Sequence, residues 1–288
     1  MKKHPRRNAI HTLPAVEYKH DLGQHFLYDT ALLRSLAEKI GVSKSDRVLE
    51  IGAGAGTLTR VLCETAGHVT AVEVDETLMP RLRELAREFE NLTVIRSDIR
   101  KVNLRELNLG DGFRVIANIP YSITSQIFDL FWGKGYPIKQ MSVMVQKEVA
   151  EKLTATPGDK AFGLMSVTCR YHCVPEIVAH IPATAFTPPP KVDSAFVNLV
   201  FRKEPPAPVV DEQLLWRLVK ASYRLRRKTL LNALKTVVQA PPEALRDILD
   251  DMALPHTVRG EALRVEQWIA LSNAIKIRTR PFPASRNR

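Results

Sequence analysis

The first two thirds of the chain alternate short runs of consecutive apolar residues with stretches whose apolar residues recur every three or four positions. The short runs, which predict buried strands, lie at 47–51, 68–72, 92–96, 115–117 and 142–146. Helical spacing follows a predicted Asp29 N-cap as far as Ile40, and further helices are predicted to begin at Thr57 and Lys147. Strands that alternate with helices predict an α/β fold with a doubly wound, Rossmann-like sheet.

The pattern changes towards the end of the chain. Residues 191–201 alternate polar and apolar positions, which predicts a last, antiparallel strand of the sheet. The segment KEPPAPV at 203–209 marks a boundary, beyond which the spacing is helical throughout. The predicted helical stretches are 214–219, 229–238, 243–249 and 265–275. We therefore expect a basic flexible tail at 1–20, an α/β domain at 21–203 and a small all-helical domain at 204–288.

A glycine-rich turn follows the first predicted strand of the sheet. Gly52, Gly54 and Gly56 lie between that strand and the helix that begins at Thr57. Glycines there let main chain approach a ligand closely, and the helix N-terminus offers free N–H groups. Glu73 ends the second strand, where it is placed to hold the hydroxyls of a ribose. NAD enzymes use this arrangement too, so the motif alone does not choose the cofactor.

Two further strand ends carry polar groups. Asp98 follows the third strand and could accept a hydrogen bond from an adenine amine, although a solvated N-cap is the alternative. The fourth strand ends in NIPY, where the Asn118 side-chain oxygen and the Ile119 carbonyl before Pro120 are two acceptors for an exocyclic amine. Tyr121 offers a stacking face. Because ligands bind beyond the carboxyl ends of parallel strands, these groups are expected to face one crevice, as an amine methylase requires.

The charge of the chain favours a polyanionic partner. Lys and Arg exceed Asp and Glu by 42 to 31, a formal net charge of +11. The stretch 217–235 contains basic residues and no acid, which favours phosphate contact over a merely solvated helix face. The candidate RNA-binding residues within it are Arg224, Arg226, Arg227 and Lys228.

Other features of the composition restrict the location and the cofactors. No apolar run approaches the roughly 18 residues of a membrane span, and the basic N-terminal stretch lacks the apolar centre of a secretory signal. Three cysteines leave one unpaired in any disulfide scheme, which indicates a reducing compartment, and we expect a cytoplasmic protein. If Cys169 and Cys173 lie in an extended strand, their sulfurs are about 13 Å apart, too far to share a zinc ion. No metal site is predicted.

The ordered motifs resemble those of one enzyme family over about 23–275. They are GQHFL at 23–27, EIGAGAG at 50–56, Glu73, Asp98, NIPY, QKEVAEKL at 146–153, AFTPPPKVDSAFV at 185–197 and RRKTLLNAL at 226–234. The set is similar to the bacterial ribosomal RNA small-subunit adenine dimethyltransferases. This resemblance implies a class I methyltransferase sheet, S-adenosylmethionine as methyl donor, and two adjacent adenosines near the 3′ end of 16S rRNA as substrate. We expect a monomer with no membrane partner.

The same resemblance assigns roles to individual residues. It implies that His25 and Leu27 line the methionine side of the cofactor pocket and that Gly52, in one turn with Gly54, forms its floor. It further implies that Glu73 binds the ribose, that Asp98 binds the cofactor adenine, and that Asn118 lies at the reacting centre. Three consecutive prolines stiffen the loop after Phe186, and we expect Phe186 and Tyr121 to be the two stacking faces for the target adenine. A core position for Phe186 is the alternative.

Three competing functions share parts of the pattern. The 23S rRNA methyltransferases of the macrolide-resistance type share NIPY and a motif like GQHFL, but QKEVAEKL and FTPPPKVDS look more like the 16S enzyme. A DNA adenine methylase would usually carry a second proline where Ile119 stands. A non-catalytic RNA-binding assembly or transcription factor on the same scaffold is the alternative from another class, and the intact Glu73, Asp98 and NIPY argue against it.

Overall fold

The computed structural model describes residues 23–278 and 280–281. The tail predicted at 1–20 lies outside the described residues. The strands are β1 (Phe26–Leu27), β2 (Arg47–Ile51), β3 (His68–Glu73), β4 (Leu92–Arg96), β5 (Phe113–Asn118), β6 (Ile138–Gln146), β7 (Cys173–Ile181), β8 (Phe186–Thr187), β9 (Ser194–Phe201), β10 (Val238–Gln239) and β11 (Arg280–Pro281). The helices are α1 (Thr30–Lys39), α2 (Thr57–Thr65), α3 (Met79–Glu88), α4 (Thr124–Phe131), α5 (Lys147–Thr154), α6 (Leu164–His172), α7 (Glu212–Arg224), α8 (Leu230–Leu234), α9 (Pro242–Asp251) and α10 (Val265–Arg278).

Seven of these strands form the central sheet, in the order β4-β3-β2-β5-β6-β9-β7. The pairs from β4 through β6 are parallel, whereas β9 runs antiparallel to both β6 and β7. The doubly wound α/β fold and the antiparallel last strand are therefore confirmed. The edge strand β7 was not predicted, because Pro175, Glu176 and His180 interrupt its apolar residues and leave only a short apolar run.

Two layers of helices cover the sheet because its strands are apolar on both faces. Leu49 and Val115 point into one buried cluster, together with Phe128 of α4. Val48 and Val69 point to the opposite face, into the cluster that contains α1, α2 and α3. The predicted Asp29 N-cap is confirmed, since its carboxylate accepts a hydrogen bond of 2.9 Å from Leu32 N. No helix within the described residues is long and apolar enough to cross a bilayer.

The residues around the two C-terminal cysteines are arranged differently from the prediction. Cys169 lies in α6 and Cys173 begins β7, so the chain turns between them. The nearby Cys169 thiol contributes to the raised pKa of Cys173, so the two side chains are close. The inference of a wide sulfur separation is wrong because a helix replaces the assumed strand. Both thiols are buried, and no group of three potential metal ligands occurs in the described part of the chain.

The C-terminal helices form a third buried cluster around Trp268. Leu218 of α7 and Leu249 of α9 pack into it. Four buried residues from before the predicted boundary at 204 belong to the same cluster: Ala155, Phe162, and Val167 and Tyr171 of α6. Helix α8 is shorter than the predicted 229–238, because the chain after it turns and pairs as β10 with β11. The helical segment therefore packs on α6 as well as on itself.

Candidate active site

A cavity of about 250 Å³ lies at the carboxyl ends of the parallel strands. Segments distant in sequence reach it because the carboxyl ends of parallel strands meet at one edge of the sheet. The predicted site residues that line it are His25, Leu27, Gly52, Gly54, Glu73, Asp98, Asn118, Ile119, Pro120 and Tyr121. Phe186 does not line it. The structure thus brings together the residues predicted for the cofactor and, except for Phe186, those predicted for the reacting base.

The glycine turn forms one wall of the cavity. Gly54 has a φ of +58°, and a Cβ added there would lie 2.8 Å from Phe26 Cε1. A side chain at Gly54 would therefore strain the backbone and push away the β1 segment that covers the cavity. Helix α2 begins directly after this turn, and its first N–H groups have no partner within the helix. The turn is suited to a ligand with acceptor groups close to main chain.

Glu73 is held in place by the backbone around it. Its carboxylate accepts hydrogen bonds from Gly54 N (2.7 Å), Val74 N (2.8 Å) and Asp75 N (2.7 Å). Burial raises the pKa of Glu73, while these three N–H groups act in the opposite direction. The carboxylate is thus a rigid acceptor at the cavity wall, a suitable partner for two ribose hydroxyls.

Asp98 lies on the same rim and has a charged partner that the sequence did not reveal. Its carboxylate caps the turn at Ile99–Lys101 by accepting from Arg100 N (3.0 Å), and the contact with a cofactor adenine stays a prediction. The Arg100 guanidinium also donates to both carboxylate oxygens, and this hydrogen bonding lowers the pKa of Asp98. Arg100 lines the cavity and donates to Gln126 of α4 at 2.6 Å. Asp98 is therefore both a cap and a fixed carboxylate on the rim.

Asn118 is oriented by a single hydrogen bond. Its Nδ2 donates to the main-chain oxygen of His25 at 2.8 Å. Its Oδ1 accepts no hydrogen bond from any described residue, and it belongs to a half-buried side chain on the cavity wall. The Ile119 side chain is anchored in the core, and the Ile119 carbonyl before Pro120 likewise accepts nothing from the described residues. Two acceptors therefore remain available side by side.

The aromatic ring that stacks with Tyr121 in this structure is that of His25. The two ring centroids are 5.6 Å apart with an interplanar angle of 27°. The Tyr121 hydroxyl lies 2.5 Å from Ser194 Oγ, and His25 Nδ1 lies 2.7 Å from the Pro188 carbonyl oxygen. Tyr121 therefore has a stacking face fixed at its hydroxyl end.

The structure places Phe186 in the core. Its side chain is 2% exposed and packs in the cluster that also contains Phe196 and Leu27. Residues Phe186–Thr187 pair as a short antiparallel ladder with Phe26–Leu27, and Phe186 lies opposite Leu27 in this ladder. In this structure the Phe186 ring occupies the core position that was the alternative, and its role as a stacking face stays a prediction.

Glu50 is a cavity residue to which the sequence assigned no role. It is 1% exposed, and its Oε2 has no hydrogen-bond partner among the described residues. Burial raises the pKa of Glu50 to about 8, and the Glu73 charge adds to the rise. An acid between the apolar residues Leu49 and Ile51, two positions before the first glycine of the turn, was a signal that could have identified it. Glu50 is mainly protonated at neutral pH.

The predicted RNA-binding residues lie together on the surface of the helical segment. Arg224 ends α7, and Arg226, Arg227 and Lys228 form the exposed turn before α8. The stretch contains no acid in sequence, but folding brings Glu261 within 3.3 Å of Arg226. Arg227 and Lys228 form no ion pair with a described residue. The turn therefore presents fewer free cations than the sequence suggested.

The residues at the cavity suit S-adenosylmethionine, a cation with ribose hydroxyls and an adenine amine. Glu73 and Asp98 supply acceptors on the rim, and the glycine turn permits close approach of main chain. Together with the strand order, this site defines the chain as a class I S-adenosylmethionine-dependent methyltransferase.

Comparison with known proteins specifies the family. The family model described as ribosomal RNA adenine dimethylase matches residues 15–272. The chain is 39% identical over 265 residues to ribosomal RNA small subunit methyltransferase A of Lachnoclostridium phytofermentans, covering 90% of this chain and 91% of the relative. It is 37% identical over 263 residues to the protein of the same name in Clostridioides difficile, again covering 90% and 91%. The chain therefore belongs to the ribosomal RNA adenine dimethylase family, and it is an S-adenosylmethionine-dependent rRNA adenine dimethyltransferase.

Solved structures agree with this fold. A dimethyladenosine transferase from Plasmodium falciparum has a TM-score of 0.75 at 24% identity, covering 90% of this chain and all (100%) of that chain. The 23S rRNA methyltransferase ErmE has a TM-score of 0.71 at 27% identity, covering 87% and 99%. The shared architecture extends through the helical segment, since nearly the whole chain is covered in both cases.

Proposed function

We propose that this enzyme dimethylates the N6 amines of two adjacent adenosines near the 3′ end of 16S rRNA in the small ribosomal subunit. The observation that carries the proposal is the pair of free acceptors on the cavity wall, Asn118 Oδ1 and the Ile119 carbonyl. An adenine N6 amine has two hydrogens and a lone pair drawn into the ring. Two acceptors that hold its hydrogens favour the pyramidal geometry in which the lone pair becomes available.

Orientation is the main contribution of these residues to the reaction. S-adenosylmethionine, when bound, supplies an electrophilic methyl group on a sulfonium. The Asn118 amide is fixed by its bond to His25 O, so its acceptor oxygen is in place before the base arrives. Preorganised geometry of this kind can supply up to about 7–11 kcal/mol in well-aligned reactions, so no dedicated general base is required. The proton on the alkylated nitrogen is acidic and leaves to water.

The remaining site residues divide between cofactor and base. Glu73 would bind the ribose hydroxyls and Asp98 the cofactor adenine, while Gly52 and Gly54 form the floor of the pocket. His25 and Leu27 would line the methionine side. Tyr121 would stack on the target adenine, which offsets a cost of a few kcal/mol for unstacking that base from the RNA.

The helical segment supports the choice of substrate. Arg224, Arg227 and Lys228 are exposed cations that would contact rRNA phosphates, with a smaller contribution from Arg226 because Glu261 pairs with it. We propose that residues 21–203 are the methyltransferase domain and 204–288 an rRNA-binding domain. We further propose that the enzyme acts in the cytoplasm as a monomer.

The likeness to ErmE supports a second candidate, methylation of 23S rRNA. The relatives that match at 37–39% identity are all named for the small subunit, which favours 16S rRNA. The test is to incubate the protein with labelled S-adenosylmethionine and either small or large subunits that lack the modification, and then to map the labelled base. Label on adjacent adenosines of 16S rRNA supports the proposal. Label only on 23S rRNA establishes the alternative, and no label on either subunit refutes both.

A further inference from the structure

A segment of five residues, 23–27, lies along one side of the active-site cavity, and we call it the strap. All five of its residues line the cavity. The side chains of Phe26 and Leu27 are buried, and the Phe26 ring packs against the glycine turn at Gly54. The strap therefore covers the cavity on the side of the glycine turn.

Hydrogen bonds hold the strap at three places. Gln24 Nε2 donates to Asp75 Oδ2 at 2.8 Å. His25 Nδ1 donates to the Pro188 carbonyl oxygen at 2.7 Å, because a carbonyl oxygen can only accept. The main-chain oxygen of His25 accepts from Asn118 Nδ2 at 2.8 Å. The strap is thus fastened to the chain after β3, to the loop after β8 and to the end of β5.

Asp75 is a rigid anchor for Gln24. Its side chain is buried, and its Oδ1 accepts hydrogen bonds from Thr77 N at 3.0 Å and from Thr77 Oγ1 at 2.7 Å. The Asp75 N–H donates to the Glu73 carboxylate at 2.7 Å. One buried carboxylate therefore connects the strap to the acid that we propose for the cofactor ribose.

We propose that Gln24 is a positioning residue for methyl transfer, because its bond to Asp75 holds the strap and the strap holds Asn118. The acceptor that orients the Asn118 amide is the His25 carbonyl, so a displaced strap leaves this amide free to rotate. Gln24 acts through the backbone of the next residue and not on the reacting atoms. The inference rests on the proposed role of Asn118 in methyl transfer.

The same bond controls the exchange of the cofactor. Two methyl groups on each adenosine consume more than one S-adenosylmethionine, so S-adenosylhomocysteine must leave between transfers. Because the strap covers one side of the cavity, its displacement opens a path for this exchange. A hydrogen bond to a charged group shifts an equilibrium between held and displaced forms by about 10-fold to about 150-fold. Loss of the Gln24 bond should therefore speed cofactor release and slow methyl transfer.

An exchange of the two side-chain chemistries tests the bond while it preserves the shape of both residues. Gln24→Glu brings two carboxylates together where the hydrogen bond of 2.8 Å lies, and their repulsion breaks the contact. Gln24→Glu combined with Asp75→Asn restores one donor and one acceptor in the reverse direction. The amide oxygen in this double variant can still accept from Thr77. Gln24→Ala removes the bond without adding charge.

Asp29→Ala is the matched control for a loss of local stability. The Asp29 carboxylate accepts a single hydrogen bond, of 2.9 Å from Leu32 N, and caps α1 two residues beyond the strap. Asp29 does not line the cavity. The control therefore weakens the neighbouring helix and leaves the bond between Gln24 and Asp75 in place.

Two rates are measured with the full chain, together with the unfolding temperature of each variant. They are the dissociation of S-adenosylhomocysteine in the absence of RNA, and single-turnover transfer of labelled methyl groups to small subunits that lack the modification. We expect Gln24→Glu and Gln24→Ala to release S-adenosylhomocysteine at least about 10-fold faster and to transfer methyl groups at least about 10-fold more slowly. The double variant should return both rates to within about threefold of the wild type, because a carboxylate again pairs with an amide. Asp29→Ala should lower the unfolding temperature and keep both rates.

Wild-type rates in Gln24→Glu would overturn the proposal. A defect that persists in the folded double variant would also overturn it, as would an equal defect in Asp29→Ala. If the double variant does not fold, the comparison of Gln24→Ala with Asp29→Ala decides. The role of Asn118 is judged separately, by methyl transfer with Asn118→Ala, and cofactor release is measured without RNA. The strap can therefore fail while the role of Asn118 stands.

Discussion

Replacement of Asn118 by Ala tests the orientation mechanism most directly. The variant removes Oδ1, one of the two acceptors for the target amine, and it removes the Nδ2 donor to His25 O. Loss of one preorganised polar group at a reacting centre costs about 10²–10³-fold in kcat. The His25 carbonyl would also lose its partner, which destabilises the fold by about 1–3 kcal/mol. Asn118→Asp should lose less activity, because an acceptor oxygen remains although its orientation is no longer fixed.

The assay is single-turnover transfer of labelled methyl groups to small subunits that lack the modification, with cofactor affinity measured by titration calorimetry. Asn91→Ala is the matched control, since Asn91 Nδ2 also donates to main-chain oxygens, of Cys63 (2.9 Å) and Ala66 (3.1 Å), outside the cavity. We expect Asn91→Ala to lose stability and keep its turnover rate. Turnover by Asn118→Ala within about threefold of the wild type, against the 10²–10³-fold loss expected, would refute the reasoning.

Three further predictions concern the core, the pH dependence and the RNA. Phe186→Ala should lower the free energy of unfolding, measured by urea titration, by about 3–5 kcal/mol, because the substitution leaves a cavity in the core. Unchanged stability together with a raised KM for RNA would contradict a core role for Phe186. Between pH 4.5 and about 8, Glu50 is protonated in the folded chain, where burial raises its pKa, and ionised in the unfolded chain. The contribution of Glu50 to stability therefore falls as pH rises through this window. The free energy of unfolding of Glu50→Gln should therefore decrease less over this pH range than that of the wild type. An equal decrease in both proteins would contradict the prediction. Arg227→Ala combined with Lys228→Ala should reduce the slope of log K for rRNA binding against log salt concentration by about 2. Arg226→Ala should reduce this slope less, because Glu261 pairs with Arg226. Slopes equal to that of the wild type would exclude phosphate contact by these residues.

The predictions from sequence were accurate where the signal was local. Strand β2 and the start of α2 lie where the apolar runs and the glycine turn placed them, because a buried parallel strand must be apolar on both faces. The convergence of Glu73, Asp98 and Asn118 was also predictable, since the carboxyl ends of parallel strands share one edge.

The errors arose where pairing partners decide the outcome. The estimate of the sulfur separation assumed that Cys169 and Cys173 lie in one extended strand, but α6 occupies that stretch and only Cys173 enters β7. For Phe186 the sequence left a stacking face and a core position open, and the structure, in which Phe186 pairs with β1, has the ring in the core. A short segment such as β8 has no periodicity of its own that could reveal a partner more than a hundred residues away.

The sequence by itself determined the sheet, the glycine turn and the two hydrogen-bond acceptors of NIPY, because each depends on residue types that are close together along the chain. Only the tertiary structure decided which aromatic ring faces Tyr121, which acid pairs with Arg226, and that Glu50 Oε2 is buried with no hydrogen-bond partner among the described residues. Ring stacking, ion pairing and desolvation depend on distances between atoms from separate segments. Those distances exist only once the sheet has brought β1, β5 and the loop before β9 together.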